Sequence, residues 1–376
     1  MVIGYDAKRA FNNTAGLGNY SRYIIDSVAK INPEIKQVLF TPKISKQYQA
    51  YAKGKVLVKP TGFDKIIPSL WRSKTCVKDL LKNKISLYHG LSNELPYGIE
   101  QSGIKTVVTV HDLIFKRFPE FYKNPLDIKT YDKKFEHACR IADKIIAISE
   151  QTKVDIVEFY QVNPSKISVI YQDCDASFHQ KVSDEKKWKI KVKYHLPNRF
   201  VLSVGTIEKR KNQVNTVEAF AKIKEADLHL VLIGKPTEYQ EEVIKTAEKL
   251  HIRQRVHIIN CADFLDFPAI YQQAQAMVYI SHFEGFGIPI LEALNSRLPI
   301  VTSTGSCFRE VGEDATLYAD PNNVEVIAQQ LQKALFDTET RKFLIEKTIS
   351  QAKKFRYDQT IPKLIDVYKE VAVHLF

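Results

Sequence analysis

The sequence predicts a doubly wound α/β fold, in which parallel sheets carry helices on both faces. Short strand-like runs alternate with helix-length amphipathic stretches along nearly the whole chain, and this alternation is typical of parallel sheets. The length of 376 residues suits two domains better than one. The alternation lapses once, between Asp173 and Arg199, where the sequence is polar, rich in lysine and contains Pro197. We therefore expect one α/β domain on each side of this lapse.

Twelve strands are predicted from the apolar runs. Seven precede the lapse, near Val2–Asp6, Gln37–Thr41, Lys55–Lys59, Ser86–His89, Lys105–Val110, Lys144–Ser149 and Lys166–Tyr171. Five follow it, near Phe200–Gly205, Leu228–Gly234, Val256–Asn260, Met277–Ser281 and Pro299–Ser303. Helices are expected between the strands, including Asn19–Lys30, Asp127–Ala142 and Glu150–Tyr160, and more helix from Val324 onward.

The expected domains cover residues 1–175 and 199–358, with a linker over 176–198. Ligands of open α/β sheets bind beyond the carboxyl ends of the strands. Two domains that face each other would bring both sets of strand ends to one cleft. Motifs at strand ends are therefore the candidate functional residues.

The composition is that of a soluble globular protein, with 44% hydrophobic and 26% charged residues. No apolar run is long enough to cross a bilayer, and Asp6 falls where a signal peptide would need an apolar core. The five cysteines are widely spaced and form no CxxC pair, which argues against a disulfide framework and a zinc site. A reducing cytoplasm is the expected location.

Positive charge is concentrated in the first half of the chain. Residues 1–182 contain 28 Lys and Arg against 18 Asp and Glu, whereas the remainder contains 27 against 25. Such a surplus suits nucleic acid, anionic lipid or phosphorylated substrates, and lysines on solvated helix faces would also produce it.

The most informative stretch is Ser281-His282-Phe283-Glu284-Gly285-Phe286-Gly287-Ile288-Pro289-Ile290-Leu291-Glu292-Ala293. A strand ends at Ser281, a glycine-rich turn follows, and a helix starts with Pro289 in its first turn. The glycines allow the backbone to approach a ligand, and carboxylates are good acceptors for sugar hydroxyls. Glu284 and Glu292 could equally be acidic residues near a helix dipole.

A cationic turn follows the first strand of the second half, in Val204-Gly205-Thr206-Ile207-Glu208-Lys209-Arg210-Lys211-Asn212. Arginine binds a diphosphate through two parallel hydrogen bonds, and lysine binds it as a point charge. Three consecutive cations at a strand end therefore suit a diphosphate clamp, although a solvated basic turn has the same sequence.

Two strand ends of the first half also carry candidate residues. Asp6 ends a strand, and Gly16-Leu17-Gly18-Asn19-Tyr20-Ser21 then opens a helix. This resembles a dinucleotide fingerprint in which Ser21 replaces the third glycine, so it is weak evidence for such a site and could be a tight turn. Val107-Val108-Thr109-Val110-His111-Asp112-Leu113 places His111 at the carboxyl end of a buried strand.

Together, these motifs resemble those of retaining glycosyltransferase family 4, also described as glycosyl transferases group 1. Members of this family have the GT-B fold of two Rossmann-like domains. The Glu-Gly-Phe-Gly-x-Pro-x-Leu-Glu-Ala phrase is similar to the family's motif of two glutamates separated by seven residues. The resemblance implies that Glu284 binds hydroxyls of the transferred sugar, beside the backbone of Gly285, Phe286 and Gly287. It implies that Glu292 holds the donor ribose.

The other phrases match the family less completely. The resemblance implies that Arg210 and Lys211 contact the donor phosphates; Thr206 replaces an arginine of many relatives, so one phosphate contact is expected to be missing or supplied differently. It also implies that the loop of Gly16 and Gly18 approaches the donor phosphates or the acceptor. His111 is implied to lie beside the reacting sugar, as a hydrogen-bonding group rather than a base. Further weak similarities occur at Ser149 and at 170–175.

The expected protein is a mannosyltransferase-like enzyme of polysaccharide synthesis. It would retain the anomeric configuration, take a nucleotide-diphosphate sugar on its C-terminal domain, and take a glycan or lipid-linked acceptor on its N-terminal domain. The last helix, near Gln359–Phe376, is expected to pack on the first domain as in relatives. Asp173-x-Asp175 matches the metal motif of another glycosyltransferase fold, but its position at the interdomain link argues against that role. No metal or other cofactor and no nucleic-acid partner are expected.

Two alternatives remain, and one class of enzyme is disfavoured. The first alternative is a nucleotide-sugar epimerase or hydrolase of the same fold. The second is a non-catalytic module that binds sugar nucleotides or a membrane surface. A dehydrogenase is disfavoured because the glycine fingerprint is broken.

Two aromatic and basic stretches suggest an anionic membrane as a further partner. They are Ile66-Ile67-Pro68-Ser69-Leu70-Trp71-Arg72 and Phe115-Lys116-Arg117-Phe118-Pro119-Glu120-Phe121-Tyr122-Lys123. Cations beside aromatic rings suit the boundary between headgroups and acyl chains. We expect peripheral association with the inner face of the membrane, with loop packing as the alternative.

Overall fold

The chain divides into two compact units, each built on its own parallel sheet. In this computed structural model, which describes residues 1–373, the first unit comprises Met1–Asp173 together with the chain from Phe355 onward. The second comprises Cys174–Lys354. Residues 176–198, expected as a linker, contain an eleven-residue helix and belong to the second unit.

The sheet of the first unit has seven parallel strands in the order β3-β2-β1-β4-β5-β6-β7. Their bounds are β1 Val2–Asp6, β2 Lys36–Phe40, β3 Leu57–Val58, β4 Leu87–Gly90, β5 Lys105–Val110, β6 Lys144–Ala147 and β7 Ile167–Val169. The order reverses at β1, as in doubly wound folds. The helices of this unit are α1 Lys8–Asn12, α2 Gly16–Ile31, α3 Gln49–Ala52, α4 Pro68–Leu70, α5 Cys76–Lys82, α6 Ile114–Arg117, α7 Pro125–Ile141, α8 Glu150–Tyr160 and the last, α17 Tyr357–Val373.

The sheet of the second unit has six parallel strands in the order β10-β9-β8-β11-β12-β13. Their bounds are β8 Arg199–Val204, β9 Leu228–Ile233, β10 Val256–Ile259, β11 Ala276–Tyr279, β12 Ile300–Ser303 and β13 Leu317–Ala319. The helices are α9 Asp184–Tyr194, α10 Gln213–Ala221, α11 Tyr239–Lys249, α12 Phe267–Tyr271, α13 Ile288–Asn295, α14 Phe308–Gly312, α15 Val324–Phe336 and α16 Thr338–Lys353. The predicted doubly wound α/β class is confirmed.

Local sequence explains where helices begin and end. Ser149 caps α8 by accepting a hydrogen bond from the Thr152 N–H at 3.0 Å, and Gln161 ends this helix in a left-handed conformation. Asn124 caps α7 in the same way, and Pro125 occupies the first helical position, where its missing N–H costs nothing. Fully buried strand residues such as Val108, Ile145 and Val201 belong to the two cores.

The last helix packs within the first unit. The Tyr368 hydroxyl is 2.7 Å from His89 Nδ1, and the Tyr23 hydroxyl is 2.6 Å from Thr360 Oγ1. Tyr368 and Leu364 are completely buried. Residues 374–376 of the expected helix lie outside the described part of the chain.

Candidate active site

Two neighbouring strands of the second unit end at the candidate site. β8 leads through Gly205 to a 3-10 turn over Lys209–Lys211, and β11 leads through Ser281 to the glycine-rich turn before α13. Because β8 and β11 pair in the sheet, their following turns lie side by side. The His282 N–H donates to the Arg210 carbonyl at 2.8 Å, which ties the two turns together.

The two turns bring Arg210, Lys211 and Glu284 into a charged cluster. Lys211 Nζ is 2.6 Å and Arg210 Nη1 2.8 Å from the same oxygen, Oε1 of Glu284. Glu284 is 8% exposed, so both ion pairs are shielded from water. Burial acts to raise the pKa of Glu284, but the charges of Arg210 and Lys211 outweigh it and hold this pKa at about 2.

The two cations of the charged cluster respond differently to burial. Burial lowers the pKa of Lys211, and neighbouring Arg210 adds to this effect, while Glu284 opposes both. Burial also disfavours the charge of Arg210, but Glu284 and Glu208 reverse that effect and raise its pKa. The carboxylate at the centre therefore stabilises two positive charges that burial alone would weaken.

Further groups hold the charged cluster in place. Lys211 also donates to the Tyr279 hydroxyl at 2.8 Å, and Arg210 donates to Glu208 Oε1 at 2.6 Å and to the Phe283 carbonyl at 2.9 Å. The Glu284 carbonyl accepts from Ser306 Oγ at 2.9 Å. The turn is thus fixed through both its backbone and its side chain.

Gly287 sets the path of the backbone into α13. Its φ of 95° is in the left-handed region, which favours glycine. It occupies the N-cap position of α13 without a capping side chain, and Gly285 and Phe286 before it are buried. The glycine-rich segment that was expected to lie beside the transferred sugar is therefore a tightly packed turn.

Glu292 is held apart from the charged cluster on α13. It is 4% exposed, and its Oε2 accepts a hydrogen bond of 2.6 Å from the Tyr271 hydroxyl. Burial raises the pKa of Glu292 to about 7, with Tyr271 acting in the opposite direction. The two glutamates thus differ in charge near neutral pH, which their sequence spacing could not indicate.

In the first unit, Gly16 and Gly18 form the first turn of α2. A methyl group at Gly18 would lie 1.9 Å from the Asn13 carbonyl oxygen, so only glycine permits this close approach. Nothing lies within 4 Å of the corresponding position at Gly16. The first turn of α2 contains no acidic side chain and no side-chain cap.

His111 directly follows β5 and is a buried, neutral histidine. Its Nε2 lies 2.9 Å from the Leu91 carbonyl, and its backbone N–H donates to Asn93 Oδ1 at 2.7 Å. Because only a protonated Nε2 can donate to a carbonyl, the lone pair of the neutral ring is on Nδ1. Burial lowers the pKa of His111 to about 4, so the ring is uncharged at neutral pH. Tyr20 from α2 packs edge-on against it, with ring centroids 4.6 Å apart.

Four supporting residues were not singled out from the sequence. They are Tyr279 at the end of β11, Tyr271 at the end of α12, and Ser306 and Asn93 in loops, and each contacts a candidate residue. Among these four, only Tyr279 could have been found from the sequence, since it lies in the predicted strand Met277–Ser281, two residues before the motif that begins at Ser281. The others are brought in by tertiary packing.

The two aromatic and basic stretches contain several residues that are buried or paired. Trp71 is 1% exposed and donates to Asp79, while Arg72 pairs with Asp6 at 2.6 Å and Glu94 at 2.7 Å. In the second stretch, Phe115 is buried. Two of its cations, Lys116 and Arg117, are partly exposed and form the pairs Lys116–Asp132, Arg117–Asp155 and Arg117–Glu158. Trp71 and Phe115 are therefore core residues, and three of the cations are paired with carboxylates.

Asp175 has a local structural contact. Its carboxylate accepts from the backbone N–H and the hydroxyl of Ser177, at 2.9 and 2.6 Å, at the start of a 3-10 turn.

Within residues 1–373, no helix has the length and apolarity that a membrane crossing requires.

Two family models match successive parts of the chain. The model described as Glycosyltransferase Family 4 matches residues 16–177, and that described as Glycosyl transferases group 1 matches residues 184–351. The O-antigen chain mannosyltransferase B of Escherichia coli is 27% identical over 288 residues, which are 75% of this chain and 74% of that protein. The serotype-specific mannosyltransferase WbdA of Escherichia coli is 29% identical over 299 residues, 73% of this chain but only 35% of WbdA.

Solved structures with the same architecture cover nearly the whole chain. A glycosyltransferase from Rickettsia africae superposes with a TM-score of 0.76 at 17% identity, covering 98% of both chains. Anabaena HepE in complex with UDP gives 0.75 at 15% identity, covering 98% of this chain and 99% of that one. The two sheets and their helices thus define a GT-B glycosyltransferase fold. The chain belongs to the group 1, family 4 glycosyltransferases, which confirms the family inferred from its motifs.

Proposed function

We propose that the protein transfers a hexose from a nucleotide-diphosphate sugar to a glycan or lipid-linked acceptor in cell-surface polysaccharide synthesis. Mannose is the first candidate for the hexose, and the anomeric configuration is retained. The observation that carries this proposal is the charged cluster, a buried carboxylate and two cations at the carboxyl ends of β8 and β11. Its support comes from the relatives, which are named O-antigen mannosyltransferases, and from HepE, whose structure contains UDP.

The charged cluster suits a leaving diphosphate. Arg210 and Lys211 together offer several charge-assisted donors, and one oxygen of Glu284 engages both cations. A diphosphate bound there would share the cations with Glu284, and this carboxylate would accept hydrogen bonds from sugar hydroxyls. Negative charge grows on the diphosphate as the glycosidic bond breaks, so fixed cations in a shielded site stabilise the transition state more than the ground state.

The properties of Glu284 favour front-face transfer over a covalent intermediate. A carboxylate whose pKa is held at about 2 is a weak base. Its two cationic partners would also oppose its attack on the sugar, because a covalent bond would remove the negative charge that they stabilise. In our proposal the acceptor attacks on the face that the diphosphate leaves, and a phosphate oxygen takes the acceptor proton. The retained configuration follows from that shared face.

His111 is proposed to act through a hydrogen bond. Its Nε2–H is engaged by Leu91, so Nδ1 is the nitrogen that can accept from a hydroxyl of a bound sugar. Since burial keeps the ring neutral at physiological pH, it would orient substrate without adding charge.

The acceptor is proposed to be reached at the inner face of the cytoplasmic membrane, because a lipid-linked glycan is anchored there. We further propose that no metal is needed, since two cations are already placed for the diphosphate. Transfer should then persist in excess EDTA. Strict dependence on Mn²⁺ or Mg²⁺ would contradict the cation-based mechanism.

The donor can be found by thermal shift. GDP, UDP and their hexose conjugates should be screened, and a ligand at about 100 times its Kd stabilises a protein by roughly 2.7 kcal/mol. Turnover of the best donor should then be followed by NMR with and without glycan acceptor. An α-linked product from an α-linked donor supports the proposal. Isomerised or hydrolysed donor without acceptor transfer would instead identify an epimerase or hydrolase, and binding without turnover a binding module.

A further inference from the structure

The segment between β3 and α5 presents a row of apolar side chains to solvent. Phe63 is 69%, Ile66 73%, Ile67 41% and Leu70 40% exposed. We call these four residues the apolar patch. Large apolar side chains exposed singly are common, but four within eight residues form a contiguous surface of the kind that marks an interaction site.

The backbone of the apolar patch is ordered by two short helical turns. Gly62–Lys65 form a 3-10 turn and Pro68–Leu70 a short helix, with hydrogen bonds from Ile66 N–H to the Phe63 carbonyl and from Leu70 N–H to the Ile67 carbonyl, both 3.0 Å. Ile67, with φ −124° and ψ 71°, separates the turn from the short helix. The four apolar residues are thus held by two hydrogen-bonded turns within one eight-residue stretch.

The segment is anchored to the first unit. Thr75 Oγ1 donates to Asp64 at 2.7 Å, and Trp71 Nε1 donates to Asp79 at 2.7 Å. Trp71 itself is 1% exposed and packs against Phe40. The apolar patch is therefore a preformed surface on a fixed support, and its exposure does not come from a loose loop.

Lysine residues flank the apolar patch in the amino-acid sequence. Lys59, Lys65, Lys74 and Lys78 are exposed, and none of them forms an ion pair with any residue of the 1–373 range. The acidic residues nearest in sequence, Asp64 and Asp79, are engaged by Thr75 and Trp71. The four lysines outnumber these two carboxylates, so the sequence around the apolar patch carries a surplus of positive charge. Positive charge around an apolar centre suits a surface of anionic headgroups over acyl chains.

We propose that the apolar patch inserts into the boundary region of a bilayer with anionic headgroups while the four lysines contact those headgroups. This inference rests on the proposed function, because it supplies the surface by which the enzyme would reach a lipid-linked acceptor. It keeps Ile66, Ile67 and Leu70 of the stretch expected from the sequence and adds Phe63. Trp71 and Arg72 of that stretch are left out, because Trp71 is buried and Arg72 is paired with Asp6 and Glu94.

The test is co-sedimentation with vesicles of phosphatidylcholine alone and of phosphatidylcholine with phosphatidylglycerol. We expect binding to the anionic vesicles only, weakening as salt rises. Phe63→Ser combined with Ile66→Ser should reduce the partition coefficient by at least about tenfold, from the lost burial of two large apolar groups. Lys65→Glu with Lys74→Glu should reduce it further and flatten its dependence on salt. Both double variants should keep the wild-type melting temperature, because the changed side chains are exposed.

A matched control is available in the second unit. Trp188 and Val192 of α9 are 64% and 52% exposed on a lysine-rich helix, so Trp188→Ser with Val192→Ser removes similar apolar surface elsewhere. This control should bind vesicles like the wild type. Loss of binding in the control but not in the Phe63 and Ile66 variant would overturn the proposal, as would failure of the wild type to bind either vesicle. Self-association that the Phe63 and Ile66 substitutions abolish would assign the apolar patch to a second copy and also overturn it.

Transfer to a water-soluble glycan, measured without vesicles, separates this inference from the proposed function. We expect the apolar-patch variants to retain it. If wild-type protein binds anionic vesicles through the apolar patch but transfers no sugar, the proposed function fails and the surface assignment stands. If transfer occurs but the substitutions in the apolar patch do not change vesicle binding, only the surface assignment fails and the proposed function stands.

Discussion

The first prediction concerns Arg210 and Lys211, which both contact the same oxygen of buried Glu284. Arg210→Ala and Lys211→Ala should each lower kcat/KM about ten- to a hundredfold, since a hydrogen bond to a charged group contributes about 1.5–3 kcal/mol. Part of the loss should appear in kcat, as the diphosphate gains charge towards the transition state. Steady-state kinetics measure both.

Lys209 offers the matched control for this pair. It belongs to the same 3-10 turn but is exposed, and no ion pair involves it within residues 1–373. Lys209→Ala removes the same charge from the turn and should leave the kinetics unchanged. Equal losses in all three variants would indicate a general charge effect, and unchanged kinetics in the Arg210 and Lys211 variants would exclude the clamp.

The two glutamates should affect different parts of the donor. Glu284→Gln should preserve nucleoside-diphosphate binding but weaken discrimination and turnover of the intact donor sugar. Glu292→Ala should weaken the nucleotide itself. Calorimetry with the nucleoside diphosphate and with the complete donor measures each, and the reverse division would contradict the assignment.

Glu292 also predicts a pH dependence of nucleotide binding. Its pKa is raised to about 7, and only the ionised carboxylate forms the stronger, charge-assisted hydrogen bonds with ribose hydroxyls. Nucleotide affinity should therefore rise as pH increases through 7. Because the terminal phosphate of the nucleotide titrates nearby, the comparison with Glu292→Gln is the measurement. Parallel pH profiles for the two proteins would show that Glu292 does not bind the ribose.

The start of α2 gives a prediction about an element. Gly18→Ala should destabilise the first unit, since its methyl group would meet the Asn13 carbonyl oxygen at 1.9 Å. Gly16→Ala, two residues earlier in the same helix, meets nothing within 4 Å and should be neutral or stabilising, because alanine favours a helix by up to about 1 kcal/mol over glycine. Thermal unfolding of the two variants provides the comparison. Equal melting temperatures would show that the loop adapts to the methyl group.

Strong alternation made the sheets predictable from the sequence. The residues of β1 and β5 were predicted over the same bounds that the structure shows, because long apolar runs flanked by polar residues define buried parallel strands. β13, at Leu317–Ala319, was missed: only Ala319 of its three residues is buried, and no longer apolar run surrounds them. The helix at Asp184–Tyr194 was hidden for another reason: it buries only Ile190, so its sequence is nearly all polar.

The candidate site was predictable as residue types but not as an arrangement. The motifs identified Arg210, Lys211 and Glu284, yet their convergence on one carboxylate oxygen depends on the pairing of β8 with β11, which no local pattern encodes. The raised pKa of Glu292 depends likewise on burial beside Tyr271 from another helix. Exposure was the least predictable property, since Trp71 is internal whereas neighbouring Ile66 is exposed.

The two units have separate cores, and the chain returns to the first unit at its end. Tyr368 of α17 is 2.7 Å from Nδ1 of His89, and His89 Nε2 is 2.8 Å from Thr109 Oγ1. The Tyr20 hydroxyl lies 3.0 Å from the same Thr109 oxygen, and its ring packs on His111. This buried polar chain connects the last helix with the strand end that carries His111, so the first unit depends on residues from both ends of the sequence.

The two buried histidines of the first unit predict that acid destabilises it. Burial lowers the pKa of His89 to about 3 and that of His111 to about 4, against about 6.5 in an unfolded chain. Between these values only the unfolded chain binds the protons, so the free energy of unfolding should fall as pH decreases below 6.5, by about 1.4 kcal/mol per pH unit for each histidine. Trp71 reports this unit selectively by fluorescence if Trp188, the other tryptophan, is replaced by Phe. In that background His89→Gln should reduce the pH slope, whereas replacement of exposed His251 by Asn, which tolerates its positive φ of 56°, should not. A slope that His89→Gln leaves unchanged would show that this histidine is protonated in the folded protein.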